Sequence, residues 1–249
     1  MTSYLHRLTQ PEAARALADS RTAIVVVGSV EQHGPHLPLG TDALAALGIA
    51  ERVAGQLGAP ILPLSLVGIA PYHLGWPGSL TLRPQTLIAL FVDAGTGLAA
   101  AGAERLLVVN WHEGNTPTLR LAAEELQRST AVRVVIAETH VIANGLFPDE
   151  MEFTHAGAME TAAVLAHSPE AVRLDAVAGA TDRDAGERGH ELFRRRDVFP
   201  VMRDFHEVAE TGWYGDPTSI TTERAREIAD RVADHVVARA REAWEELGA

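Results

Sequence analysis

Cysteine and lysine are both absent from this 249-residue chain. Without cysteine there is no disulfide, no thiolate metal ligand and no thiol nucleophile. All 21 basic residues are arginine, which excludes a Schiff-base lysine, a pyridoxal phosphate anchor, a phosphate-loop lysine and a Ser-x-x-Lys hydrolase. No Gly-x-Ser-x-Gly elbow occurs. No apolar run approaches the roughly eighteen residues of a membrane span. The first residues lack the basic-then-apolar layout of a signal peptide, and a cytoplasmic protein is expected. Positive charge is also scarce: the formal net charge is −12, which argues against nucleic acid or an anionic membrane as a partner. Any catalysis has to come from His, Asp, Glu, hydroxyl groups or a bound metal.

The length suits one large α/β domain or two small ones, and 47% hydrophobic residues are enough for a substantial core. Thr22 to Gly28 is apolar and β-branched, as in a central parallel strand. The pattern predicts a first helix over 11–19, a helix over 42–57 capped by Thr41 or Asp42 and ended by Gly58, and a strand over 59–67 interrupted by Pro60 and Pro63. A helix over 84–101, a strand over 104–110, a helix over 116–128 and a strand over 131–137 follow. Residues 144–149 look turn-like, and a helix leads to about Ala166. The segment 175–219 reads as irregular, with the charged cluster Arg183 to Asp197 as a solvated excursion or a subunit contact. A long helix from Thr221 to Leu247 carries the stripe Ala225, Ile228, Ala229, Val232, Val236, Ala240 and Trp244. Strand–helix alternation through residue 166 predicts a single α/β domain over 1–249.

Three strand-to-helix junctions concentrate metal-ligand chemistry. Residues 28–42 read Gly-Ser-Val-Glu-Gln-His-Gly-Pro-His-Leu-Pro-Leu-Gly-Thr-Asp. Glu31 and His33 are two apart, so in an extended segment they share a side, and Asp42 opens the next helix. Carboxylate and imidazole without thiolate form the ligand set of hydrolytic Zn, Mn or Fe sites; a polar loop with a capping Asp is the plainer alternative. At the second junction His112 and Glu113 follow a buried strand, at the strand end where α/β sheets gather ligands. The third holds His155 and Glu160, which could equally be a helix-entry histidine and a solvated carboxylate. Between them, the Gly/Pro-rich loop 68–82 carries Tyr72, His73 and Trp76 and reads either as a pocket wall or as a surface loop pinned by its aromatics. Two ions bridged by shared carboxylates are a recurring device for hydrolysis, and the residue count suffices for one, with Asp42 able to bridge.

These motifs, with Trp-Pro-Gly-Ser, Asn-x-His-x-Gly-Asn, His-Ala-Gly-x-x-Glu-Thr and Gly-Asp-Pro-Thr in the same order over about residues 22–222, resemble the creatininase (creatinine amidohydrolase) family. The resemblance implies a three-layer α/β sandwich with a mainly parallel sheet and a homo-hexamer. It implies a dinuclear Zn or Mn site, Fe being possible, that opens C–N bonds of amides, lactams or formamides in a small-molecule substrate. Glu31, Asp42 and His112 would hold one ion; His33, Asp42 and Glu160 the other. His155 falls at the family's catalytic histidine. Glu113 is expected as a proton-transfer carboxylate or substrate contact, and His73, Trp76, Trp111 and His140 as substrate-binding residues.

The chain also departs from the family. Where creatininase itself has a catalytic Glu, two residues beyond His112, this chain has Gly114. Met151, and Thr139 or His140, stand where it has pocket tryptophans. Creatinine is therefore not the expected substrate. Two other readings remain at this point: a hydrolase of C–C or C–O bonds on the same frame, and a silent metal-binding scaffold.

Overall fold

The computed structural model describes residues 4–152, 154–177, 191–193, 195 and 197–248. Four parallel strands, β1 (Thr22–Val27), β2 (Ile61–Ser65), β3 (Arg105–Asn110) and β4 (Arg133–Glu138), form one sheet in the order β2-β1-β3-β4. β1 lies inside the sheet, and every one of its residues is buried. β2 lies at the edge, which is where a strand can hold Pro63, since proline has no N–H for a second neighbour.

Helices cover both faces, giving three layers. They are α1 (Gln10–Ser20), α2 (Thr41–Leu57), α3 (Pro84–Ala100), α4 (Thr116–Ser129), α5 (Thr139–Leu146), α6 (Ala158–His167) and α7 (Thr222–Glu246). The period of two along each strand separates two cores. Ile24, Val26, Leu107 and Val109 point to one face and pack with Ile49 of α2, Met159 of α6 and Val232 and Val236 of α7. Val25, Val27, Leu106 and Val108 point to the other and pack with Leu17 of α1, Leu87 and Phe91 of α3 and Leu119 of α4. The whole expected stripe of α7 is buried; each Val or Ile removed from water there contributes about 1.5–3 kcal/mol.

Two local expectations change. Gly40, and neither Thr41 nor Asp42, is the N-cap of α2. The Thr41 hydroxyl donates to Pro38 O at 2.8 Å, so it does not accept from the helix, and the Asp42 carboxylate is left for the site. Residues 139–146 form α5, although Asn144 and Gly145 are poor helix formers. Burial of Ala143 in the core under α7 outweighs that local preference. Most of the cluster Arg183 to Asp197 lies outside the described residues. Among the described residues no helix is long and apolar enough to cross a membrane.

The register aligns the carboxyl ends of the inner strands: Val27 pairs with Asn110, and Asn110 with Glu138. The loops after β1 and β3 therefore leave the sheet side by side, at one edge.

Candidate metal centre

The loop after β1 folds back tightly. A Cβ on Gly28 would lie 2.5 Å from Ala43 Cα, so glycine allows α2 to approach the strand end. Glu31 N–H donates to Leu39 O at 2.9 Å and closes the loop. Asp42, in the first turn of α2, is thereby set beside Glu31 and His33, and all three are buried. Glu31 and His33 reach one centre from opposite sides of Asp42. Asp42 Oδ2 is 3.5 Å from His112 Nδ1, and its Oδ1 is 3.7 Å from His33 Nε2.

On the first side, His112 Nδ1 also lies 3.3 Å from Glu31 Oε2. Its Nε2 is 3.0 Å from Ile69 O, so Nε2 carries a proton and Nδ1 is the nitrogen turned to the carboxylates. Asn110 clips the backbone of His112, donating to its carbonyl at 2.8 Å. Asn115 joins Gly28 O, at 3.0 Å, to Ile69 N–H, at 2.9 Å. This polar network locks the loops after β1, β2 and β3 to one another.

On the second side, His33 Nε2 is 3.7 Å from Glu160 Oε1. His33 Nδ1 is 3.0 Å from Glu31 O and donates there, so Nε2 is the nitrogen that faces the carboxylates. Such second hydrogen bonds from imidazole to a carbonyl are a regular feature of metal-ligating histidines. Glu160 Oε2 accepts the Ala156 N–H, and Ala156 holds the left-handed region at φ 54° to present it, a strained conformation of the kind that collects at functional sites. His155 Nδ1 lies 3.9 Å from Glu160 Oε2; its Nε2 donates to Gln32 O at 2.9 Å.

Electrostatics describe a site that shares protons between carboxylates and imidazoles. Burial pushes Glu31 up to about 7, with His112 and His33 opposing. Burial opposes the charging of His33, but Asp42 and Glu160 outweigh it and hold His33 well above the usual histidine range. His112 is raised too: burial opposes, and Glu31 and Asp42 prevail. Burial would raise Glu160, yet His33 and His155 hold it below the usual carboxylate range. His155 is pushed down to about 4, chiefly by burial.

The donor set fits divalent cations. Glu31, Asp42 and His112 form one ligand-like triad, and His33, His155 and Glu160 another. His33 Nε2 and Asp42 Oδ2 are buried without a hydrogen-bond partner. Leaving buried polar atoms unmet in this way is costly, and cations that displace the His33 proton would meet both.

A cavity of about 430 Å³ opens onto these residues. Glu31, Asp42, His112, His155 and Glu160 line its floor. His140 and the buried Trp111 line its side, with exposed Glu113 at the rim. His73 also lines it but is itself buried, whereas Trp76 is not among the lining residues and stacks on His206 at 3.8 Å. Met151 is fully buried in the core and offers no ring to the cavity. The opposite wall is apolar, with Tyr72, Phe193, Phe199, Val201, Met202 and Phe205. This wall was not legible in the sequence, because most of it comes from the irregular segment before Gly212. Gln32 was also passed over, although it stands between Glu31 and His33 and contacts both His73 and His155.

Comparison with known proteins bears on the family and the fold. The family profile described as creatininase, creatinine amidohydrolase, matches residues 6–240. A mycofactocin precursor peptide peptidase of Mycolicibacterium smegmatis is 33% identical over 213 residues, covering 82% of this chain and 78% of that one. A zinc–zinc form of a creatininase variant superposes with a TM-score of 0.77 at 26% identity, covering 98% of both chains. A manganese creatininase superposes with a TM-score of 0.75 at 25% identity, covering 99% of both.

Proposed function

The chain belongs to the creatininase family, and from that premise we propose that it is a hydrolase with two divalent ions that opens the carbon–nitrogen bond of an amide substrate other than creatinine. The observation that carries this reading is Asp42, whose two oxygens face two different imidazoles at 3.7 and 3.5 Å. Glu31, Asp42 and His112 would hold one ion, and His33, Asp42 and Glu160 the other. Three buried carboxylates outnumber the charge that one divalent ion brings. Zinc and manganese both suit a histidine–carboxylate set. When bound, such a pair supplies a Lewis acid for the scissile carbonyl and acidifies water.

The chain's own residues supply the rest. His155 is neutral at pH 7, because burial sets it at about 4. Its Nε2–H is tied to Gln32 O, so Nδ1 is the atom that takes a proton and passes it to the leaving nitrogen. Glu113 at the rim contacts the substrate or exchanges that proton with solvent. Trp111 and His140 narrow the side of the cavity. The proposal includes a homo-oligomer, the state that the family resemblance implies.

A second reading within this chemistry has a specific observation behind it. The apolar wall from Tyr72 to Phe205 suits a substrate with an apolar group beside the amide. A short peptide meets that need, as does an N-acyl amine, and a relative at 33% identity is named a peptide peptidase. Elemental analysis of the wild type and of Asp42→Ala, followed by a panel of peptides, lactams, formamides and cyclic ketones, tests both readings. About two ions per chain, lost in the variant, with turnover of an amide, supports the proposal. Turnover of ketones alone would move the reaction to C–C bonds, and absence of metal after reconstitution would leave a silent scaffold.

A further inference from the structure

Glu31 is held on both oxygens. Its Oε2 accepts the Ser29 hydroxyl at 2.6 Å, and its Oε1 lies 3.2 Å from His73 Nε2. His73 Nδ1 is 3.2 Å from the amide nitrogen of Gln32. That nitrogen also donates to Gly212 O at 2.6 Å, while Gln32 Oε1 accepts the Gly34 N–H at 3.2 Å. Turning the amide over would set oxygen against the Gly212 carbonyl and N–H against the Gly34 N–H, so its orientation is fixed. An amide nitrogen only donates. His73 Nδ1 therefore accepts, and the ring hydrogen sits on Nε2, aimed at Glu31.

Glu31, His73 and His155 also have the spacing of a third ligand triad. The Gln32 amide nitrogen lies 3.2 Å from His73 Nδ1 and 3.0 Å from His155 Nε2. One of its two hydrogens goes to Gly212 O and the other to His73 Nδ1, while His155 Nε2–H points to the Gln32 carbonyl instead. Glu31, His73 and Gln32 thus form a hydrogen-bonded chain.

We propose that Gln32 and His73 are positioning residues: Gln32 fixes the tautomer of His73, and His73 donates Nε2–H to Glu31 Oε1, so that Glu31 Oε2 is turned toward His112 as a metal ligand. The inference rests on the dinuclear reading above and assigns His73 to the metal centre, where the sequence suggested a substrate contact. The same amide lies against Gly212, in the turn that carries Trp213 and Tyr214, so the ligand's aim is tied to a distant part of the chain.

Three variants test it. His73→Phe keeps a ring beside His155 and Phe205 but has no N–H. His73→Asn ends near Nδ1, short of Glu31. His73→Gln carries an amide N–H to about the place of Nε2. The readouts are the zinc dissociation constants of both equivalents, by competition with a chromophoric chelator, and the thermal midpoint of the metal-free protein. Loss of a partner of this kind weakens metal binding about 10–100-fold. That loss is expected for one of the two equivalents in His73→Phe and His73→Asn, with recovery in His73→Gln and metal-free midpoints alike in all three. Wild-type affinity in every variant would overturn the inference while leaving the dinuclear site standing. Equal losses in Asn and Gln would overturn it as well, and that pair decides the matter should the Phe variant not fold. A wild type that lacks two tight equivalents would overturn the dinuclear reading and this inference together.

Discussion

Gly114 and His112 are so close that the first permits the second to work. A Cβ added to Gly114 would lie 2.5 Å from His112 Nε2 and 2.3 Å from Ile69 O, inside the hydrogen bond that fixes the His112 tautomer. The position where creatininase has a catalytic Glu is closed to a side chain on this backbone. Gly114→Glu is accordingly expected to give no creatinine turnover. It should instead weaken the ion at Glu31, Asp42 and His112 by about 10–100-fold, as read by chelator competition. Gly114→Ala should show the same loss in milder form. Creatinine hydrolysis by Gly114→Glu with metal retained would refute this account of the loop.

Asp42 and Glu160 differ in what they hold, and metal counting separates them. Asp42→Ala removes the carboxylate facing both His33 and His112, so both ions should be lost. Glu160→Gln touches only the His33 side. It should retain about one ion per chain. Equal stoichiometry in the two variants would remove the bridging role of Asp42.

Metal binding should release protons near neutral pH. In the metal-free protein Glu31 is raised to about 7, and His33 and His112 are raised as well, so these groups hold protons that ligation displaces. The sign follows from their direction. A raised folded-state pKa contributes stability below the unfolded value and loses it as pH climbs through the folded value. For Glu31 that window runs from 4.5 to about 7. The metal-free protein should therefore lose the contribution of these groups as pH rises through neutrality, while apparent metal affinity increases. Calorimetry in two buffers of different ionisation enthalpy reads the proton release directly, and zero release at pH 6 would contradict the shared-proton description.

The layered core has its own test, independent of chemistry. Ile228 of α7 is buried in the core against the sheet and α2. Ile228→Ala should destabilise by about 2–5 kcal/mol, the usual cost of a large-to-small change in a core. Denaturant unfolding measures this. Metal stoichiometry of the folded fraction should stay at the wild-type value, since none of the proposed ligands lies on α7.

Much of this molecule is legible along the chain. The strands at Thr22 and Arg105 and the stripe of α7 follow from periodicity, because burial on one or two faces imposes a period that survives in composition. The densest ligand loop is legible for a related reason: glycine and proline suspend regular structure where carboxylates and imidazoles cluster. Helix α5 was less visible, since its stability comes from packing of Ala143 and not from local preference.

The sequence by itself determined the chemical type of the site, through the absence of thiol and amine and the presence of Glu31, His33, Asp42 and His112 at strand-to-helix junctions. His155 and Glu160, expected at a third such junction, are instead at a helix-to-helix one, His155 between α5 and α6 and Glu160 in the first turn of α6. Only the tertiary structure decided which of these face one another. Parallel register brings the ends of β1 and β3 to one edge, and the fold-back after Gly28 sets Asp42 between two histidines. It also gave His73 to Glu31 and placed Phe193, Phe199 and Phe205 across the cavity. The reason is physical: ligand type is a property of a residue, whereas distances between residues as far apart as Gln32 and Gly212 exist only once the backbone has closed between them.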